Sequence, residues 1–188
     1  MVRLQPDARP ALSAPLDIGE LYRAHAATVA RWATRLGGPS VDVEDVVHEV
    51  FLVAHRRLRE FRPDAKPTTW LFRTTDLIVR THRRRARLRA WLGRAVAREE
   101  PAGALAVVSP VEDLIERERT QLVYRAMDAL GEKYRSLFVL YELEGMSGEE
   151  IATLTGINPS TIWVRLHRAR ARFVARVQTL AAREKDST

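Results

Sequence analysis

The passage TGINPS, Thr155 to Ser160, holds a helix stop and a helix start two residues apart. Gly156 can end one helix, because glycine takes the left-handed backbone conformation that closes a helix most easily. Asn158 can cap the next, and Pro159 suits its first turn, where no backbone N–H is needed. Two helices joined by so tight a turn are the skeleton of a helix-turn-helix. Upstream, Ser147 and Glu150 have the spacing of a capping box, which predicts a short helix from about Gly148 to Thr155 burying Ile151, Ala152 and Leu154. The second helix should start near Pro159. At about 100° per residue its Ile162, Leu166, Ala169 and Phe173 share one face, and Ser160, Val164, His167 and Arg168 point the opposite way. Arg165 and Arg172 flank the apolar face on one side, Arg170 and Trp163 on the other. One face packs, the other is free to enter a groove, and the edges carry positive charge.

Most charge runs are solvated faces, so the placement of the charge decides its meaning. Arg165, Arg168, Arg170, Arg172 and Arg176 follow one another with no acid between them, and a second block comprises Arg80, Arg83, Arg84, Arg85, Arg87, Arg89 and Arg94. The chain carries 31 Lys+Arg against 24 Asp+Glu, a net charge of +7. The two blocks together exceed that net charge, so the remainder of the chain is acidic. Two separated basic patches on an acidic scaffold point to two contacts with one polyanion.

Elsewhere the helical period recurs and no alternating strand pattern appears, which predicts an all-α protein. Asp17 with Glu20 starts a helix carrying Leu21, Val29, Trp32 and Leu36, stopped by Gly37, Gly38 and Pro39. Asp42 with Asp45 starts another, with Val46, Val47, Val50, Phe51, Ala54 and Leu58 on its apolar side. Pro63 and Pro67 bracket the loop FRPDAKP, and a third helix runs from about Thr68 through Trp70, Leu71 and Ile78 into the arginine block. LGRAVAREEPAGALAVV, from Leu92, is weakly periodic and suits a flexible linker. Ser109, Pro110 and Glu112 then open a second domain, whose first helix buries Leu114, Ile115, Leu122, Val123, Ala126 and Leu130, and whose next runs from about Glu132 to Leu143. With 188 residues and 46% hydrophobic content, two small cores are affordable. The expected organisation is a disordered leader over 1–15, a first domain over 16–91, a linker over 92–109, a second domain over 110–180 and a tail over 181–188.

Several functions are disfavoured. The absence of cysteine excludes disulfides and thiolate metal sites. His48 and His55 share a helix with Glu44 and Glu49, but HEVFLVAH lacks the HExxH zinc spacing and further ligands. No nucleophile, base and orienting group fall together, and no glycine loop could cradle phosphate, so we expect no catalysis, no cofactor, no metal and no small-molecule substrate. The opening MVRLQPDARPALSAPL has no continuous apolar core, and no apolar run is long enough to span a membrane, which predicts a cytoplasmic protein. Trp32, Trp70 and Trp91 read as core or linker-packing residues. A stand-alone helix-turn-helix regulator would account for the second domain but leave the first without a role. A nuclease would need a carboxylate cluster in a basic groove.

Three segments, VDVEDVVHEVFLVAHRRLREF, TTWLFR and KYRSLFVLYELEGMSGEEIATLTGINPSTIWVRLHRARARF, closely resemble those of extracytoplasmic-function sigma factors, the compact two-domain members of the sigma-70 family. The resemblance runs from about Leu16 to Val177. It implies a subunit that binds core RNA polymerase, places it on promoter DNA and melts the minus-ten region. It implies that Asp45, Val46, Glu49 and Leu52 dock on the polymerase clamp helices, and that Phe61, Arg62, Asp64 and Lys66 form a pocket for a flipped minus-ten base. Arg80, Arg83, Arg84 and Arg85 would hold DNA backbone nearby. One departure stands out: the family's Ile-Ala-Arg-Asn run is replaced by Thr74, Thr75, Asp76 and Leu77, so the usual asparagine is missing. The resemblance assigns the minus-thirty-five element to Ser160, Thr161, Trp163, Val164, Arg165, His167, Arg168, Arg170 and Arg172. Family members are commonly held inactive by an anti-sigma factor, an expected further partner.

Overall fold

The computed structural model describes residues 17–58, 66–96 and 111–185, in which seven α-helices account for the secondary structure apart from two short turns. Helix α1 (Ile18–Gly37) opens on Asp17, whose carboxylate accepts from the backbone N–H of Glu20 at 3.1 Å. It closes at Gly38, where φ is +70° and an added Cβ would stand 2.6 Å from the Tyr124 ring. A single 3-10 turn, Gly38–Ser40, leads to α2 (Val43–Arg57). Asp42 caps α2 by accepting from Glu44 N at 2.9 Å and Asp45 N at 3.1 Å, so two orphan donors of the first turn are satisfied by one carboxylate. Helix α3 (Pro67–Val96) then runs for 30 residues. The apolar stripes of these three helices meet around Val29, Trp32, Leu36, Val46, Val50, Phe51, Leu71, Phe72 and Val79, all buried, and Trp32 meets Phe72 edge-on at 5.2 Å.

The second half consists of α4 (Val111–Met127), α5 (Glu132–Phe138), α6 (Gly148–Thr155) and α7 (Pro159–Lys185). The segment expected to be one helix from Glu132 to Leu143 is α5 continued by a wider π turn over Val139–Leu143. Helix α6 has the anticipated bounds and a complete capping box, with Ser147 Oγ accepting from Glu150 N at 3.2 Å and Glu150 Oε2 accepting from Ser147 N at 2.8 Å. Gly156 stands at φ +71° in the left-handed region. Asn158 Oδ1 accepts from Ser160 N at 3.0 Å to start α7. The inner face of α7, Ile162, Leu166 and Ala169, is buried, and Phe173 lies 4.8 Å from the Phe138 ring.

The two halves pack against each other, and their buried residues form one continuous apolar cluster. Polar groups cross the seam as well. Buried Arg135 donates from Nε to the Leu36 carbonyl at 2.9 Å, and Arg31 and Arg35 reach Glu144 at 2.8 and 3.0 Å. Helix α3 continues five residues beyond the expected boundary at 91, to Val96. The rest of the expected linker, the leader 1–15, Leu114 and Ile115 as core contacts and the FRPDAKP residues Phe61 to Ala65 lie outside what the structure describes. Among the described residues no helix is long and apolar enough to cross a membrane.

Candidate nucleic-acid interface

The helix-turn-helix presents one continuous outward face. Ser160, Val164, His167 and Arg168 are exposed, with Val164 at 52%, because the buried stripe one half-turn away holds α7 with this side outward. Thr161 and Arg165 are half-buried at its margins. Trp163 packs edge-on against Tyr141 at 5.5 Å yet stays 45% exposed. Its seat depends on Gly148, where a Cβ would come within 2.8 Å of the indole. Two of the edge arginines have partners already. Arg170 Nε donates to Glu142 at 2.5 Å and its guanidinium lies 5.0 Å from the Tyr141 ring centre, while Arg172 lies 4.6 Å from that of Tyr134. Arg168 and His167 remain exposed.

The arginine block of α3 divides. Arg84 and Arg85 are exposed. Arg83, expected to be a surface contact, is 3% exposed. Its Nη1 donates to both carboxylate oxygens of Glu132, at 3.0 and 2.9 Å, and Nη2 donates to Asp128 at 2.8 Å. Arg87 adds a bond to Glu132 at 3.1 Å. Arg80 is half-buried, paired with Asp76 at 2.5 Å and donating to Ser136 Oγ at 3.2 Å. Asp76 also accepts from Ser136 Oγ at 2.7 Å. Burial pushes the Asp76 carboxyl above the ordinary carboxylate range, opposed by the Arg80 charge. Burial, with neighbouring Arg83, pulls Arg135 down to about 10, which leaves it positive at neutral pH. Residues 45 or 49 positions apart carry no local signal of pairing, so Asp128, Glu132, Arg135 and Ser136 could not be identified from sequence patterns. Of the expected base pocket, Lys66 is exposed at the start of α3; Phe61, Arg62 and Asp64 lie outside the described residues.

The outer side of α2 and α1 forms an apolar groove of about 1010 Å³, lined among others by Tyr22, Ala26, Phe51, Leu52, Asp45 and His48. Asp45 is exposed and Leu52 is 40% exposed. Glu49 is half-buried, with Oε1 3.0 Å from His82 Nε2 of α3. Val46 does not reach this surface. It is 0% exposed, because it lies on the same helical stripe as Val50 and faces the core. Trp91, expected to pack, is 61% exposed near the end of α3.

Residues 21–97 match the family model described as Sigma-70 region 2, and residues 120–173 match that described as Sigma-70, region 4. The chain is 36% identical over 150 residues to the ECF RNA polymerase sigma-E factor of Escherichia coli K12, covering 77% of this chain and 78% of that one. It is 32% identical over 152 residues to the ECF RNA polymerase sigma factor SigE of Mycolicibacterium smegmatis, covering 80% of this chain and 58% of that one. Among solved structures it is similar to CnrH in complex with the cytosolic domain of CnrY, with TM-score 0.58, 26% identity, and 86% and 88% of the two chains covered. It also shares its fold with the sigma factor RpoE of Bartonella quintana in complex with the anti-sigma factor NepR, with TM-score 0.55 and 20% identity over 86% and 97% of the chains. The match of the first half to region 2 sets aside the stand-alone regulator, which left that half without a role. With both regions present in order and packed as above, the chain belongs to the extracytoplasmic-function sigma factors of the sigma-70 family and is an RNA polymerase sigma factor.

Proposed function

We propose that the outward face of α7 reads the minus-thirty-five element in the major groove, Ser160, Val164 and His167 meeting base edges or thymine methyls while Arg165 and Arg168 hold the backbone. The observation that carries this reading is the contrast along α7: Ile162, Leu166 and Ala169 fully buried, Ser160, Val164, His167 and Arg168 exposed. In the first half, Arg84 and Arg85 contact the DNA backbone beside the minus-ten region, and Lys66 serves with Phe61, Arg62 and Asp64 in holding a flipped minus-ten base. The α1–α2 groove, with Asp45 and Leu52 at its surface, docks on core polymerase. An anti-sigma factor is the further partner suggested by CnrH with CnrY and by RpoE with NepR. Every surface assigned is a binding surface, so the chain acts in the cytoplasm by recruitment and catalyses no reaction of its own.

The test is reconstitution. Core polymerase plus this chain should bind a cognate promoter and open its minus-ten region, seen as permanganate-reactive thymines, while the chain alone binds duplex promoter weakly. Each domain alone has a small footprint, and polymerase supplies the surface that orders both. Tight, specific duplex binding by the free chain, with no effect on transcription by core polymerase, would overturn the reading.

A further inference from the structure

The seam between the two halves is richest in charge where the arginine block of α3 meets the start of α5. Arg83 is 3% exposed and donates three hydrogen bonds to Asp128 and Glu132. Glu132 also accepts from Arg87, and Asp128 also accepts from Arg135 at 3.1 Å. Around the corner, Asp76, Arg80 and Ser136 close a second polar cluster across the same seam. A guanidinium with carboxylate oxygens on both terminal nitrogens has the coordination that it would take on a phosphate: planar donors, anionic oxygens, bonds near 2.9 Å. The second half therefore presents to α3 an arrangement of anionic oxygens that resembles the DNA backbone. Arg84 and Arg85, on the far side, stay exposed.

We propose that Asp128 and Glu132 stand in for DNA phosphates, holding Arg83 and Arg87 of the first half in a closed chain, so that promoter backbone and these two carboxylates compete for the same guanidinium groups. The proposal rests on the reading of the α3 arginine block as a backbone-contacting face. Its consequence is regulatory. Opening the seam exposes Arg83, and DNA takes up the charge that would otherwise be left unpaired. With the seam open Arg83 is a solvent-exposed cation parted from its two acids, so a phosphate arriving there is bound by a group with no competing partner. The closed chain thus has reduced affinity for nucleic acid without any second protein, and affinity appears when polymerase separates the halves.

The absence of native cysteine makes the closure directly measurable. Cysteines introduced at the exposed Ala24 of α1 and Ala175 of α7 can carry a donor and acceptor pair on the full chain. Asp128→Asn with Glu132→Gln keeps acceptors for Arg83 but removes both charges. This variant should lower transfer between the labels. It should also bind a short fluorescein-labelled single-stranded oligonucleotide of mixed sequence about tenfold more tightly, if about one chain in ten is open in the parent. Removing two acids raises affinity for DNA in any protein, so Glu118→Gln with Glu149→Gln serves as the charge-matched control and should change neither readout by a comparable amount. Arg83→Ala separates the roles of the two sides: it should open the chain as the first variant does, yet gain less affinity, because of the two competed-for cations only Arg87 remains. Circular dichroism melts establish that each variant is folded, and Asp128→Asn alone repeats the test in weaker form if the double variant does not fold. Unchanged transfer in the folded carboxylate variant, equal tightening in the control, or equal tightening in Arg83→Ala would each overturn the proposal. Binding of the parent chain to core polymerase, measured separately, reports on the sigma-factor surfaces and is not altered by any of these outcomes.

Discussion

Arg73 of α3 donates from Nη2 to the carbonyl of Thr155, 2.8 Å away, at the last residue of α6 before the left-handed turn at Gly156. A side chain of the first half thus satisfies one of the orphan carbonyls at the C-terminus of the first helix of the helix-turn-helix, where positive charge is favoured by the helix dipole. The contact depends on the absence of a side chain at 156. A Cβ there would lie 2.6 Å from the same Arg73 nitrogen.

Gly156→Ala is therefore expected to act twice, through the backbone conformation and through the displaced guanidinium. The left-handed conformation alone costs an ordinary L-residue about 1 to 2 kcal/mol, which should appear as a lower urea midpoint with an unchanged slope. Gly156→Asn should cost less, because asparagine tolerates this conformation. Combining Gly156→Ala with Arg73→Ala should cost less than the sum of the two, since both remove the same bond. Additive losses would mean that the two residues do not share a contact.

Docking on polymerase should depend on Asp45 and Leu52 more cleanly than on Glu49 or Val46. Asp45 is exposed and its carboxylate makes no cap, Asp42 having taken that role. Substituting Glu49 also removes the partner of His82, and substituting Val46 opens the core. Asp45→Arg and Leu52→Asp should each weaken binding to core polymerase at least about tenfold, equivalent to 1.4 kcal/mol, with a melting temperature close to that of the parent. Retained binding by both variants would move the docking surface off this groove.

The helix-turn-helix was the most legible part of the chain because its signals are local. Ser147 with Glu150, Gly156, and Asn158 with Pro159 act within one or two turns of themselves, and α6 and the start of α7 follow them. The same is true of Asp17 and Asp42 as caps. Helical period also separates the buried Ile162, Leu166 and Ala169 from the exposed His167 and Arg168. What stayed illegible is how the halves meet. Arg83 reads as one more arginine in a basic run, and only the tertiary approach of Asp128 and Glu132 turns it inward. Trp91 shows the reverse error: a large aromatic suggests burial, but its stretch of α3 extends beyond the packed helices and leaves it exposed. Val46 was claimed by both an apolar stripe and a partner surface, and packing decided for the stripe.

The departure at Thr74 to Leu77 has a structural counterpart in Asp76, which faces Ser136 and Arg80 at the seam. Its carboxyl is raised above 3.8, first by burial and against the pull of Arg80. A raised carboxyl favours the folded state when protonated. That contribution is fully present below the unfolded value and is lost as pH rises through the folded value. At neutral pH the ionised group is therefore a net burden on the fold. Asp76→Asn keeps an acceptor for Ser136 and removes the charge, so it should melt no lower than the parent at pH 7. Its advantage should shrink as pH falls toward 3.8. A clear loss of stability at pH 7 would show that the pair with Arg80 outweighs the cost of burial.

His167 is the sharpest single probe of sequence readout. It is exposed in the middle of the outward face of α7, about one turn beyond both Trp163 and Val164, and unlike the neighbouring Arg170 and Arg172 it is not tied to an acid or an aromatic ring. Its ring can donate or accept toward a base edge, and its place on the helix sets which base pair it meets. Phosphate contacts hold the helix in register whatever the sequence, so losing one should weaken all promoters alike. Losing a base contact should weaken one base pair's preference and spare the rest. His167→Ala is therefore expected to reduce discrimination by about 1 to 3 kcal/mol at a single position of the minus-thirty-five element, measured by binding of holoenzyme to a promoter library randomised there. Arg168→Ala should weaken the whole library nearly evenly and flatten its salt dependence by about one unit. A uniform loss with His167→Ala would place the imidazole among the backbone contacts and shift the specificity to Ser160, Trp163 and Val164.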